Sequence, residues 1–199
     1  MPPFLGQGMC TGIRDAANLG WKLAAVLRWG APDALLDSYE RERKPHTRVY
    51  IETAVNVGRM MNDAETAESL THAINPDGSA QMKSISRGLV DAIGPGLDKT
   101  KGMRAMQPTL RDGTKLSDAM QGCLGLLVKR DVPSRLDDAP AHLRAFSGHD
   151  HPEVLDCLNE LDCEAIIIRP DFYIFGTANA HDGVPLDDLL TELAELNLI

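Results

Sequence analysis

The sequence is poor in aromatic residues and lacks the cysteine spacing of metal or redox motifs. Aromatic residues are only 5% of the 199 positions, so a core must be built mainly from aliphatic side chains. The four cysteines include no C-x-x-C pair, which argues against a zinc ribbon and against a thioredoxin-type redox pair. We expect reduced thiols in a cytoplasmic protein rather than a disulfide framework.

Long apolar runs and an excess of basic residues are also missing. No stretch has the length that a membrane-spanning helix needs, and the first residues lack the basic and apolar regions of a signal peptide. The formal net charge of −9 repels phosphate backbones. We therefore expect binding neither to membranes nor to nucleic acids.

A Gly-rich loop followed by a helix is predicted at the start of the chain. The loop covers positions 2–12, and a broad apolar pattern over 13–29 predicts a helix that is covered on most sides. Gly30 and Pro32 are residue types that commonly follow a helix end. Trp21 is interpreted as an anchor between this helix and a sheet.

Two further helices are predicted before the pattern weakens. The first covers 33–44, and the second begins at Pro45, because proline disrupts a continuing helix, and runs into 60–62. The charged run 40–44 alternates in sign and is interpreted as a solvated helical face.

The second half of the chain has an α/β pattern. Glycine and proline interrupt the region 71–107, which is the candidate domain boundary. The elements predicted after it are strands at 122–129, 165–169 and 172–176 and helices at 152–161 and 186–196. The fold class expected is α/β, with a helical part (1–75), a linker (76–107) and a sheet-forming part (108–199).

Gly6-x-Gly8 before a helix indicates a candidate site for negative charge. Glycine lets a ligand approach the backbone closely, and the unpaired N–H groups at a helix start attract anions. The same pattern is common in plain turns, so by itself it does not separate the two alternatives.

A longer string makes the cofactor alternative more specific. Positions 2–23, PPFLGQGMCTGIRDAANLGWKL, resemble the last FAD-binding motif of group A flavoprotein monooxygenases. The resemblance is strongest to the branch of 3-(3-hydroxyphenyl)propionate hydroxylase and phenol hydroxylase. It continues through positions 35–46, LLDSYERERKPH.

The resemblance implies a contact between this loop and the flavin ring. Backbone donors of Gly8 to Gly12 would stabilise the negative charge of reduced FAD. The implied flavin contacts are Pro3, Gly6, Gly8, Met9, Cys10, Thr11 and Gly12. Many relatives have Asn where this sequence has Cys10, so a backbone contact is expected there. Asp15 and Asn18 are expected to bond within the helix and to neighbouring loops.

The tail is similar to the carboxy-terminal domain of the same branch. RPDFYIFGTA at 169–178 and PTLRDGT at 108–114 resemble parts of a thioredoxin-like domain without redox cysteines, which in relatives serves subunit contacts. The nucleotide-binding β-α-β unit, the Gly-Asp motif upstream and most of the substrate domain have no counterpart here. We expect the isolated chain to bind FAD poorly and not to hydroxylate.

The family resemblance implies a complete enzyme that uses NAD(P)H, FAD and dioxygen to hydroxylate a phenolic substrate. A homo-oligomer, or association with the missing amino-terminal portion, is expected. The alternative is a non-catalytic, thioredoxin-like assembly module.

Two other side-chain groups have simple structural interpretations. Asp150 or His151 before Pro152 is a good helix start, and a metal site there is disfavoured for want of further ligands. Cys157 and Cys163 are interpreted as buried apolar groups rather than nucleophiles. No catalytic side chain and no metal ligand is assigned.

Overall fold

Over residues 6–62, the helical part of the chain has two long helices joined by short turns. The structure, a computed structural model, describes residues 6–62, 88–89, 91–94, 100–178 and 185–199. The elements are α1 (Gln7–Ala24), a π-helical turn (Ala25–Trp29), a 3₁₀ turn (Asp33–Leu36) and α2 (Asp37–Asn62). Gly30 ends the π-helical turn in the left-handed conformation (φ 81°), which glycine adopts without strain.

Two of the predicted helix boundaries are wrong. α1 begins at Gln7 rather than at position 13, so most of the predicted Gly-rich loop is helical. α2 is continuous through Pro45, where two helices were expected. Glu42 and His46 are buried on either side of this proline. Packing on both sides holds the helix together although proline removes one of its backbone hydrogen bonds.

The elements of the sheet-forming part agree more closely with those predicted from the sequence. Its elements are α3 (Leu116–Met120), β1 (Leu124–Val128), a 3₁₀ turn (Ser134–Leu136), β2 (Leu143–Ser147), α4 (Val154–Glu160), β3 (Ala165–Ile168), β4 (Ile174–Ala178) and α5 (Leu186–Glu195). All three predicted strands and both predicted helices are present. β2 and α3 were not predicted. In β2 two exposed residues, Arg144 and Ala145, interrupt the apolar pattern.

The four strands form one mixed sheet in the order β2-β1-β3-β4. β1 is parallel to β2, whereas β1 with β3 and β3 with β4 are antiparallel. Residues 102–105 lie along the start of β4: Gly102 N–H donates to the Ile174 carbonyl, and Ile174 N–H donates to the Met103 carbonyl. The predicted domain division stays a prediction. Of its linker, 76–87, 90 and 95–99 lie outside the described residues, as do 63–75 of the helical part.

Each face of the sheet has its own core. One core joins Leu126, Ile167 and Phe175 to Trp21 of α1 and Leu189 of α5. The other joins strand residues of the opposite face to α3 and α4; its fully buried members include Leu116, Leu127 and Leu158. Trp21 therefore anchors α1 against the sheet, as interpreted from the sequence, and the α/β fold class is confirmed. The thioredoxin-like character of the sheet stays a prediction.

Candidate functional site

The start of α1 presents backbone donors that have no acceptor within the helix. Gly6 precedes the helix in a left-handed conformation (φ 60°), and no side chain caps the helix. In a helix that begins at Gln7, the N–H groups of Gly6, Gln7, Gly8 and Met9 have no acceptor within the helix. No acidic residue lies in the first turn. The helix dipole therefore acts on this end without local neutralisation.

The same end is open to an approaching ligand. A Cβ atom added at Gly6, Gly8 or Gly12 would meet no atom of residues 6–62 or of the other described ranges within 4 Å. Met9 is 75% exposed, whereas Thr11 is buried and its Oγ1 has no hydrogen-bond partner in the described part of the chain. An open backbone with free N–H groups and no local acid is a suitable environment for the anionic edge of a reduced flavin.

Six of the seven predicted flavin contacts lie within the first two turns of α1 or directly before it. They are Gly6, Gly8, Met9, Cys10, Thr11 and Gly12; Pro3 lies outside the described residues. The expected set of donors needs correction. The amides of Cys10, Thr11 and Gly12 face acceptors within the helix, so the free donors are those of Gly6 to Met9.

The two faces of α1 have an unusual distribution of residues. Its fully or nearly fully buried residues include Thr11, Asn18 and Lys22 beside Trp21. Its exposed face carries no charge; its members are Met9, Gly12, Ile13, Ala16, Ala17, Gly20 and Leu23, with Leu27 continuing the stripe in the π-helical turn. We call these eight residues the outer stripe. A helix with a polar buried face and an apolar exposed face is suited to a further covering surface.

Glu42 of α2 accepts hydrogen bonds from three other segments of the chain. Its Oε2 accepts from Lys22 Nζ at 2.7 Å and from Asn18 Nδ2 at 2.9 Å. Its Oε1 accepts from the Ile93 backbone N–H at 2.9 Å and from Arg169 Nη1 at 2.7 Å, and Arg169 Nη2 reaches Oε2 at 3.0 Å. Both lone-pair regions of this buried carboxylate are thus satisfied.

Arg169 joins Glu42 to a second carboxylate, that of Asp171. Its Nε and Nη2 donate to Asp171 at 2.9 and 2.6 Å, and Asp171 Oδ2 also accepts from Asn18 Nδ2 at 2.8 Å. The guanidinium carbon lies 5.3 Å from the ring centre of Trp21. The four charged side chains of Lys22, Glu42, Arg169 and Asp171, which we call the buried ion cluster, are 0–1% exposed and sum to zero charge.

Burial and pairing shift the pKa values in this cluster in different directions. Burial lowers the pKa of Lys22 to about 8, although the charge and hydrogen bond of Glu42 oppose the shift. Burial alone would raise the pKa of Glu42, but Arg169 and Lys22 lower it to about 2. Asp171 and Glu42 raise the pKa of Arg169 despite its complete burial. Lys22, Glu42 and Arg169 are therefore ionised at neutral pH.

The buried contacts between α1, α2 and the sheet correct one prediction and partly confirm another. The run 40–44 is not a uniformly solvated face, because Glu42 and Arg43 are buried. Asn18 donates to Asp171 in the β3–β4 turn, which agrees with the expected bond to a neighbouring loop. The other described partners of Asp15 and Asn18 are on α2 rather than within α1: Asp15 accepts a hydrogen bond from Arg43 Nε at 2.7 Å, and Asn18 donates to Glu42. One signal was available in the sequence: Asn18 and Lys22 share one helical face with Trp21.

The remaining candidate groups show no catalytic geometry. Asp150 bonds to Ser147 rather than capping α4, which begins at Val154 without a side-chain cap, so the predicted cap is wrong. Cys157 and Cys163 are buried as interpreted, and burial raises the pKa of Cys157 to about 11. Within the described ranges, no three His, Cys, Asp or Glu side chains are grouped as metal ligands, and no helix is long and apolar enough to cross a membrane.

Comparison with known proteins first identifies the class of protein to which the chain is similar. Residues 1–54, which include α1 and most of α2, match the family model of an FAD binding domain. Over nearly its full length the chain is similar to FAD-dependent aromatic hydroxylases, and it corresponds to a portion of them.

Particular relatives narrow the resemblance. The chain is 55% identical over 243 aligned positions to 3-(3-hydroxy-phenyl)propionate/3-hydroxycinnamic acid hydroxylase of Mycobacterium avium, covering 98% of this chain and 42% of the relative. It is 33% identical to a probable NADH-specific resorcinol 4-hydroxylase of Rhodococcus jostii, covering 97% and 40%. The rebeccamycin biosynthetic enzyme RebC with reduced flavin superposes with a TM-score of 0.70 at 26% identity, covering 99% and 43%. The chain thus spans about two-fifths of the length of these relatives.

Proposed function

We propose that this chain forms the carboxy-terminal portion of an FAD-dependent monooxygenase that hydroxylates phenolic rings with NAD(P)H and dioxygen. The enzyme would act in the cytoplasm, on a small phenolic substrate, as a homo-oligomer. FAD, when bound, supplies the redox chemistry. The share of this chain is to present the start of α1 to the ring edge that becomes negative on reduction.

The open start of α1 is the observation that carries this proposal. The amides of Gly6, Gln7, Gly8 and Met9 are free of helical acceptors, and the absence of Cβ atoms at Gly6 and Gly8 lets a flat ring approach. Donors held in place by a helix need no rearrangement when charge develops on the ligand. An uncapped, acid-free helix start is therefore suited to the pyrimidine edge of reduced flavin.

The exposed apolar side chains of the outer stripe support the same proposal. Ile13 is 61% exposed and Leu27 is 79% exposed, and small residues between them leave the backbone accessible. A surface of this kind accepts a closely packed partner. In the proposed enzyme, the remainder of the flavin-binding domain covers the outer stripe, so the isolated chain should retain little FAD.

A chimeric protein tests the proposal directly. Residues 1–199 would be joined to the complementary amino-terminal portion of the M. avium relative, whose identity to this chain is 55%. We expect the chimera to retain FAD after desalting and to oxidise NADH faster when 3-(3-hydroxyphenyl)propionate is added. A folded chimera that retains no flavin would contradict the proposal.

Matched variants assign the effect to the helix start. Gly8→Glu adds one negative charge where the reduced flavin would lie, and an acid at this position is compatible with the helix dipole. We expect Gly8→Glu to weaken FAD retention at least tenfold. Ala34→Glu adds the same charge at an exposed position of the 3₁₀ turn and should leave FAD retention unchanged. Equal retention of FAD by the two variants would show that the start of α1 is not part of the flavin site.

The assembly-module alternative makes a different prediction for the outer stripe. A second copy of the chain would then cover it, and the isolated chain would form a stable dimer. Sedimentation of the chain at increasing concentration separates the two proposals, because a flavin-domain fragment should associate weakly and without fixed stoichiometry.

A further inference from the structure

Two charged residues of the sheet-forming part form hydrogen bonds with side chains of the helical part. Arg169 follows β3 and Asp171 lies in the turn before β4, yet both side chains bond to residues of α1 or α2. Arg169 binds the carboxylates of Glu42 and Asp171 with two donors each. Bidentate guanidinium–carboxylate pairs fix both distance and orientation.

These contacts constrain how α1 is oriented. In the helix itself, Trp21 is the large apolar side chain that is nearly fully buried, while Asn18 and Lys22 are held by Glu42 and Asp171. Removing one partner of a buried ion pair is strongly destabilising, so these partners resist a change in the orientation of α1. Asp15, paired with Arg43 at 2.7 Å, adds a second attachment nearer to the helix start.

Orientation at Asn18 and Lys22 is transmitted to the helix start because α1 is continuous. About ten residues of helix separate Asn18 from Gly8, a length of roughly 15 Å. A tilt of about 10° at Asn18 would move the free amides by about 3 Å, more than the roughly 1 Å error that costs catalysis heavily. The buried ion cluster is therefore placed to control the geometry of the flavin edge.

We infer that Arg169 and Asp171 are positioning residues, through which the sheet-forming part sets the orientation of α1 and hence of its free amides. This inference rests on the proposed function for its consequence, but the coupling itself is a property of the chain. It gives the carboxy-terminal part a role at the flavin site in addition to the subunit contacts expected from the family resemblance.

Hydrogen exchange on the 199-residue chain, without flavin, tests the coupling. Arg169→Met removes the link, and Asp171→Asn weakens it with little change of shape. We expect the amides of Thr11 to Lys22 to exchange at least tenfold faster in both variants relative to the amides of β1 and β3. Arg169→Lys keeps the charge but lacks the planar fork, and should restore less than half of the protection.

Leu158→Ala provides the control for general destabilisation. Leu158 is fully buried in the core on the opposite face of the sheet, away from α1. This variant should lower the unfolding midpoint without a selective effect on α1. The inference is overturned if Asp171→Asn, or Arg169→Met where it folds, accelerates α1 no more than Leu158→Ala does. That result would leave the flavin proposal untouched, whereas loss of FAD in the chimera with normal α1 protection would overturn the flavin proposal alone.

Discussion

Glu42 and Lys22 form an ion pair of 2.7 Å between fully buried side chains, but burial affects the two residues differently. Glu42 has two cationic partners, so pairing outweighs its loss of hydration and its pKa falls to about 2. Lys22 has Glu42 as its direct partner and lies near the charge of Arg169, so desolvation dominates and its pKa falls to about 8. Removing one residue is therefore not equivalent to removing the other.

Glu42→Gln should be strongly destabilising. It leaves the buried side chains of Arg169 and Lys22 with one carboxylate fewer, and removing one partner of a buried pair typically costs roughly 3–5 kcal/mol. Urea unfolding at pH 7 measures the loss. Glu40→Gln, two residues away in an exposed pair with Lys44, should leave the midpoint unchanged.

Since the folded pKa of Glu42 is lowered from 4.5 to about 2, its stabilising effect is complete above pH 4.5 and is lost as the pH falls towards 2.

Lys22→Met should change the pH dependence of stability at alkaline pH. Between pH 8 and 10.5 the unfolded chain binds more protons at Lys22 than the folded chain does, so stability rises with pH in this window. The wild-type chain should gain about 2 kcal/mol relative to Lys22→Met between pH 8 and pH 10. Urea unfolding of both proteins at pH 7, 8, 9 and 10 gives the difference. A constant difference across this range would show that Lys22 keeps its ordinary pKa.

At the level of elements, the sequence predicts best where a single pattern determines the structure. The apolar run of β3 and the pattern of α5 were located to within two residues, because burial on a sheet or along one helical face leaves a regular signal. α1 was placed six residues too late, because Gly8 and Gly12 resemble loop residues when tertiary contacts are unknown. The partners of Glu42 lie 20 to 127 positions away in the chain, a separation at which local patterns carry no information.

The outer stripe of α1 gives a prediction at this scale. Leu27→Lys replaces an apolar side chain that is 79% exposed, so it should not lower the melting temperature of the isolated chain. It should reduce self-association and dye binding by the isolated chain and should weaken FAD retention in the chimera. Ile51→Lys, on an exposed position of α2 outside the outer stripe, is the control for added charge. A large loss of stability in Leu27→Lys would mean that the stripe is already packed within this chain.

At the level of the whole molecule, the helical part and the sheet-forming part are joined at several points besides the buried ion cluster. Trp29 stacks on His142 with ring centres 4.5 Å apart, and His142 Nε2 lies 3.0 Å from the Leu198 carbonyl. Asn197 Nδ2 donates to the Gly30 carbonyl at 3.3 Å. Together with the core around Trp21, these contacts link the two parts along one face of the sheet.

This arrangement predicts that the two parts unfold together, although the sequence suggested separate domains. Both tryptophans lie in the helical part, whereas the buried Cys157 and Cys163 lie in the core on the far face of the sheet. Urea unfolding followed by tryptophan emission and by thiol accessibility, in a Cys10→Ser and Cys123→Ser background, should give one midpoint. Thiol exposure at higher urea than the change in emission would show that the sheet-forming part is stable alone. The sheet would then be an independent domain, and contacts across the shared core would be too weak to couple it to α1.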